Sequence, residues 1–282
     1  MSSDSLVWRA GTHEIRCGER TLVMGILNVT PDSFSDGGEF LDADRAVEHA
    51  RQMVADGADI VDVGGESTRP GSDPVSPNEE RGRVLPVIER LAKELDVPIS
   101  VDTMKPEVAA DAVKAGASIV NDVSGARDPA MLEVVRDTDA GMVLMHMLGD
   151  PKTMQAEPHY DDLVRDVHGY LRDRILAAVD AGIAKDRLAV DPGIGFGKTA
   201  EHNLTLLKHC FAFRDLAVPV AFGTSRKAFI GHLLDAEPDD RLEGTAAAVA
   251  WLASRGVHIV RVHDVREMSR VVRVIDAIRS AP

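Results

Sequence analysis

The sequence predicts an α/β fold in which eight parallel strands alternate with helices and close into a barrel, preceded by a short N-terminal β-hairpin. Three observations predict it. Short β-branched or aliphatic runs recur eight times, separated by segments of helical period. The 282 residues, 44% of them hydrophobic, suit one barrel of ~250 residues with a small extension. No internal repeat, low-complexity tract or linker interrupts the rhythm, so residues 1–282 are expected to form one domain. An open doubly wound sheet would alternate in much the same way, and at this level both arrangements stay open.

The elements follow in order. Residues Leu6 to Arg20, with Gly11 and Gly18 at turn positions, are expected to form the hairpin, an extension over residues 1–20 that plugs the bottom of the barrel. The run "LVMGIL" is the first strand. The stretch "NVTPDSFSDGG" after it is long and polar for a connection, and it carries Phe34; long loops in compact domains are usually functional or disordered. A helix near Ala43 to Asp56 puts Ala46, Val47, Ala50 and Val54 on one face. After the strand Ile60 to Val63, Ser76, Pro77 and Glu79 read as a capping box with proline at the first helical position, so Glu79 is assigned a structural role. The strands Ile99 to Val101, Ile119 to Val120 and Met142 to Met145 lead to a helix near Tyr160 to Ala181. Leu163, Val167, Leu171 and Ile175 recur along it at four-residue spacing, and Gly182 stops it. Leu188 to Val190, Val220 to Phe222 and Ile259 to Val262 complete the eight.

A formal net charge of -14 opposes binding to nucleic acid or an anionic membrane, which needs a cationic footprint. An anionic ligand would need a locally basic site. Only Cys17 and Cys210 are present, which excludes a disulfide framework or a cysteine-rich metal cluster and fits a reducing compartment. The start lacks a basic segment followed by an apolar one, and no apolar span reaches 18 residues, so a cytoplasmic protein is expected. The histidines are scattered, and His13, His49, His168 and His258 read as surface or packing residues.

A barrel enzyme carries its chemistry on the loops that follow the strands. Here the strand ends read Asn28; Gly64, Gly65 and Glu66; Asp102; Asn121 and Asp122; His146; Asp191; Gly223, Ser225 and Lys227; and Arg261, His263 and Asp264. Any one of these could be a turn or a helix cap. Polar or glycine residues at all eight ends favour a converging site. Arg261 and His263 lie two apart on a strand, point the same way and could hold phosphate oxygens; the competing reading pairs Arg261 with Asp264 or Glu267. Asp102, Asn121 and Asp191 supply acceptors and an amide that suit a flat heterocycle with an amino-pyrimidinone edge, and Lys227 could donate to its ring carbonyl. "DPGIGFGKT" fails as a phosphate-binding loop because Pro192 stands where the first glycine should.

From about Thr21 onward the chain resembles bacterial dihydropteroate synthase. The segments that carry the resemblance are "GILNVTPDSFSDGG", "DVGGESTRPG", "SVDTMKP", "NDVSG", "LMHM", "DPGIGFGKT", "TSRK" and "IVRVHDVRE", read as an ordered set. The resemblance implies a (βα)8, or TIM, barrel that pairs as a homodimer and is a target of sulfonamides. It implies a transferase of folate biosynthesis, joining (7,8-dihydropterin-6-yl)methyl diphosphate to 4-aminobenzoate to give 7,8-dihydropteroate and diphosphate, with Mg²⁺ as cofactor. By motif position, Asn28 matches the residue associated with Mg²⁺ and diphosphate. Asp102, Asn121, Asp191 and Lys227 match the pterin-binding set, and Arg261 and His263 the diphosphate anchor. Met145 and Phe196 match the apolar residues flanking the pterin, and Gly223, at a strand end, is expected to be substrate-binding. Thr68, Arg69 and Pro70, with Phe34 and Ser225, match the mobile-loop and aminobenzoate region. Of these, Asp102, Asp191, Lys227 and Arg261 are expected to be catalytic. The implied chemistry is SN1-like: diphosphate leaves first, and the loops after the first two barrel strands close over a cationic methylene that must be kept from water. Phe34 then covers the aminobenzoate ring, against the alternative that it staples onto the following helix. Two other readings remain: a pterin-binding barrel of a methyltransferase, which would not need the diphosphate apparatus of "NVTPDSFSDGG", Arg69 and "RVHD", and a non-catalytic pterin-binding paralogue, which no missing residue recommends and intact motifs leave open.

Overall fold

The computed structural model describes residues 5–30, 38–67 and 71–282, with only the backbone described over 38–42. Two strands, β1 (Leu6–Ala10) and β2 (His13–Cys17), pair antiparallel from Leu6↔Cys17 to Ala10↔His13. The expected hairpin is therefore present. Eight more strands follow: β3 (Leu22–Asn28), β4 (Ile60–Gly64), β5 (Ile99–Asp102), β6 (Ile119–Asp122), β7 (Gly141–Met145), β8 (Leu188–Asp191), β9 (Ala221–Gly223) and β10 (Ile259–Val262). Their order is β8-β7-β6-β5-β4-β3-β10-β9, each ladder in it is parallel, and a lone parallel bridge between Val190 and Val220 joins the two ends. Every strand lies beside its predecessor and the last meets the first. That decides for a nearly closed barrel against an open sheet.

The helices are α1 (Gly38–Ala55), α2 (Pro77–Glu94), α3 (Pro106–Ala115), α4 (Pro129–Arg136), α5 (Leu163–Asp180), α6 (Ala200–Lys208), α7 (Ala228–Leu234), α8 (Leu242–Ser254) and α9 (Val265–Ser280). Ser76 caps α2 by accepting from Glu79 N at 3.2 Å. The Glu79 carboxylate takes Arg83 one turn on, so it is structural through an i,i+4 pair. A reciprocal capping box does form at α6, between Thr199 and His202.

Alternate residues of each strand face the barrel axis. The lower of these positions are apolar: Leu22, Met24, Ile60, Ile119, Val143, Ala189, Ala221 and Ile259 pack with Trp8, Ala10 and Cys17 of the hairpin. Gly141 admits the hairpin, since a Cβ there would lie 2.9 Å from both Ala10 Cβ and Arg9 O. Trp8 Nε1 donates to Arg187 O at 3.0 Å, and the Arg187 guanidinium donates to the carbonyls of Val135, Thr138 and Ala140. The hairpin thus seals the end of the barrel where the strands begin. Two residues further along, the same inward rows turn polar: Asp62 is paired in register with Ser100, Asp102 with Asn121, Met145 with Asp191, and Arg261 with Gly223. Among the described residues, no helix is long and apolar enough to cross a membrane.

Candidate active site

At the open mouth, β5, β6, β8 and β10 each bring one polar residue to the barrel interior: Asp102, Asn121, Asp191 and Arg261. The Arg261 guanidinium lies between two carboxylates, with Nε 2.6 Å from Asp62 Oδ2 and Nη2 2.6 Å from Asp102 Oδ2. The salt-bridge reading of Arg261 is therefore correct in kind and wrong in partner: Asp264 pairs instead with Arg226, at 2.6 Å. Asn121 Nδ2 donates to the same Asp62 oxygen at 3.0 Å. Asp62 and Asp102 are 0% and 7% exposed, and one oxygen of each, Oδ1, is buried without a hydrogen-bond partner. Burial is the main cause that pushes the Asp102 carboxyl up, to about 7; Arg261 opposes the rise and Asp62 adds to it.

The cleft above this layer is lined by Asn121, Val123, Met145, Asp191, Ile194, Phe196, Gly223, Lys227 and Arg261. Seven of these are expected site residues, and Asp102 lies behind Arg261. Met145 and Phe196 belong to an apolar wall with Val123, Met147 and Met154. Lys227, which precedes α7, holds Nζ 4.2 Å from the centroid of the Phe196 ring. Asp191 accepts from Gly193 N at 2.7 Å; burial pushes its carboxyl up while that N–H and the Lys227 charge draw it down. The turn has to be glycine. Gly193 has φ +73°, and a Cβ would lie 1.9 Å from His146 O.

Two further expected residues stand at the rim. Ser225 Oγ accepts from His263 N at 3.2 Å and lies 3.0 Å from His263 Nδ1, so it anchors the histidine. Asn28 ends β3 across from Gly64; a Cβ on Gly64 would lie 3.8 Å from both Asn28 Oδ1 and Asp102 Oδ2, so the glycine leaves a gap between two oxygens. Among the described residues, no group of three or more His, Cys, Asp or Glu is arranged to hold a metal ion. A neutral amide oxygen beside a gap fits Mg²⁺ of the kind that takes few protein ligands and completes its shell with water and phosphate. Phe34, Thr68, Arg69 and Pro70 lie outside the described residues.

Three participants escaped the sequence reading. Asp62 sits inside a strand, and its one signal was a carboxylate within the apolar run "IVDVG". Lys198 is buried, with Nζ 3.0 Å from both His146 Nδ1 and Phe196 O. Burial holds its amine down at about 7 and the His146 imidazole at about 2, so the neutral ring accepts on Nδ1. Lys105 pairs with both Glu66 and buried Glu80 beside the mouth.

Residues 24–263 match the family described as pterin binding enzyme. A dihydropteroate synthase of Bacillus subtilis (strain 168) is 51% identical over 260 residues, 92% of this chain and 89% of its own. The dihydropteroate synthase of Yersinia pestis, solved with a sulfonamide drug complex, superposes with a TM-score of 0.93 at 44% identity, covering 98% of this chain and 100% of that one. The Xanthomonas albilineans enzyme with 4-aminobenzoic acid gives a TM-score of 0.92 at 46% identity, covering 99% and 100%.

Proposed function

This chain belongs to the pterin binding enzyme family and to its dihydropteroate synthase group, and from that premise we propose how its residues divide the reaction. The enzyme transfers a pterinylmethyl group from (7,8-dihydropterin-6-yl)methyl diphosphate to the amine of 4-aminobenzoate, releasing diphosphate. The observation that carries the residue assignment is the single layer of Asp102, Asn121, Asp191 and Arg261 at one mouth of the barrel, walled by Met145 and Phe196.

Asp191 and Asn121 hold the pterin edge from below while Phe196 and Met145 flank its faces. Lys227, above Phe196, donates to the ring carbonyl. An arylamine is a weak nucleophile, so the carbon–oxygen bond to diphosphate breaks ahead of, or nearly ahead of, attack. Asp191 orients the pterin and stabilises the cationic methylene that results, without forming a covalent bond to it, while Asp102, paired with Arg261, belongs to the pterin-binding set. Arg261 and His263 hold the departing phosphate oxygens, the histidine oriented by Ser225. Asn28 would hold Mg²⁺, which when bound neutralises charge on the leaving group. Phe34, Thr68, Arg69 and Pro70, with Ser225, are assigned from their motifs to the aminobenzoate side, and Gly223 lines the pterin cleft. Replacing Phe34 by Ala should raise the aminobenzoate KM far more than the pterin KM; equal changes in both would remove Phe34 from that role.

The assay is diphosphate release by the purified chain with dihydropterin methyl diphosphate and Mg²⁺, with and without 4-aminobenzoate, following dihydropteroate by mass. Stoichiometric products that disappear in Lys227→Ala and Arg261→Ala support the scheme. Tight pterin binding without aminobenzoate-dependent product would favour the methyltransferase-like or non-catalytic reading. The chain is further read as one domain that acts as a cytoplasmic homodimer. Outward apolar residues Leu233, Leu234 and Trp251 on neighbouring helices α7 and α8 support the pairing, and light scattering on the purified chain tests it.

A further inference from the structure

Asp62 does not line the cleft, yet it touches two residues that do. Its Oδ2 takes Arg261 Nε at 2.6 Å and Asn121 Nδ2 at 3.0 Å, and the side chain is wholly buried. Its register neighbour on β5 is Ser100, whose Oγ is buried with no partner, as is Asp62 Oδ1. An ionised carboxylate can only accept, whereas a primary amide donates at one end and accepts at the other. Turning the Asn121 amide over would set its Oδ1 against Asp62 Oδ2, two acceptors in contact where the surroundings screen poorly. Asp62 therefore holds the nitrogen end, and the end that Asn121 keeps for the cleft is the carbonyl oxygen. The same carboxylate turns Arg261: with Nε on Asp62 and Nη2 on Asp102, Nη1 is the nitrogen committed to neither.

We propose that Asp62 is a positioning residue that sets ligand specificity: by fixing the Asn121 amide, it makes the β6 end of the cleft an acceptor for a ring N–H of the bound heterocycle. This rests on the reading that the cleft binds a pterin. Asp62 itself contacts neither substrate nor the reacting atoms. Its effect is on discrimination, separate from its contribution to holding the barrel together. With the amide held, a ligand presenting a ring nitrogen without hydrogen meets a carbonyl oxygen and is rejected. With the amide released, Asn121 rotates and accommodates either.

The test uses 6-hydroxymethyl-7,8-dihydropterin and 6-hydroxymethylpterin, which differ by one hydrogen each at N8 and C7, so that only the first presents a ring N–H at position 8. Calorimetry gives both dissociation constants for the full chain, for Asp62→Ala, for Asn121→Ala and for the double variant. The wild-type chain should prefer the dihydro form by roughly tenfold, about the effect of one hydrogen bond. In Asp62→Ala that ratio should fall to near one, and Asn121→Ala and the double variant should show the same ratio, because both substitutions act through one amide. If Asp62→Ala does not fold, Asp62→Leu fills the volume and serves instead. A variant at Asp62 that binds both ligands more weakly with the ratio preserved would overturn the inference, and so would a wild-type chain without preference. Failure of the wild-type chain to bind either ligand is a distinct outcome: it removes the pterin reading, and the inference with it.

Discussion

Replacing Asp102 by asparagine turns a buried titration into a measurable difference in stability. The fold raises this carboxyl from 3.8 to about 7, so between those values the folded chain keeps a proton that the unfolded chain has released. The stability attached to this proton is complete below pH 3.8 and is lost as the pH climbs to about 7. At ~1.4 kcal/mol per pH unit, the whole window is on the order of 4 kcal/mol, and the part between pH 5.5 and 7 is about 2 kcal/mol. An amide does not titrate. The unfolding free energy of Asp102→Asn, taken relative to the wild-type chain, should therefore rise by about 2 kcal/mol from pH 5.5 to pH 8. Asparagine keeps an oxygen that can accept from Arg261 Nη2, and Asp62 still pairs the guanidinium. Urea unfolding followed by the fluorescence of Trp8, buried under the barrel, provides the assay. Wild-type and variant stabilities that run parallel across this range would refute the reasoning, since they would mean that Asp102 is already ionised at pH 5.5.

Arg261→Met leaves Asp62 and Asp102 buried without the cation they share, so a loss of ~3–5 kcal/mol in chemical unfolding is expected together with loss of product; a loss under about 1 kcal/mol would show that the carboxylates are solvated or protonated in the variant. Trp8→Ala should cost ~3–5 kcal/mol through the cavity beneath the barrel. Its kcat and both KM values, measured well below the melting temperature, should match the wild-type values, because the hairpin packs at the end opposite the cleft; a changed pterin KM would contradict that separation.

The strand ends were legible because a barrel reveals them twice: the apolar run stops, and the residue that stops it is the one that faces the mouth. Asp102, Asn121 and Asp191 each close an apolar run, Arg261 interrupts one a single residue before its strand ends, and all four come together. Asp62 was not legible by that signal, because it lies two residues before its strand ends and its purpose is set by Arg261 and Asn121, both distant in sequence. The Lys198–His146 contact joins loops after different strands, and neither residue has a neighbour in sequence that announces it. Arg261 was legible as a charged group facing inward, but its partners were not: sequence proximity favoured Asp264, while the barrel places Asp62 and Asp102 within reach. The start of α1 at Gly38 lies ahead of the stretch expected near Ala43, because helix ends are the least sharply defined part of a helix.

The ring order bears on the birth of the chain. β3 is the first barrel strand to leave the ribosome, and one of its two neighbours is β10, the last. Trp8 in the hairpin likewise waits for the carbonyl of Arg187. While β4 to β9 are being made, β3 carries an open edge of backbone donors and acceptors, the kind of surface that recruits strands from other molecules. The first strand of the barrel is thus among the last to be completed, and a product truncated before Ile259 would keep that edge for good.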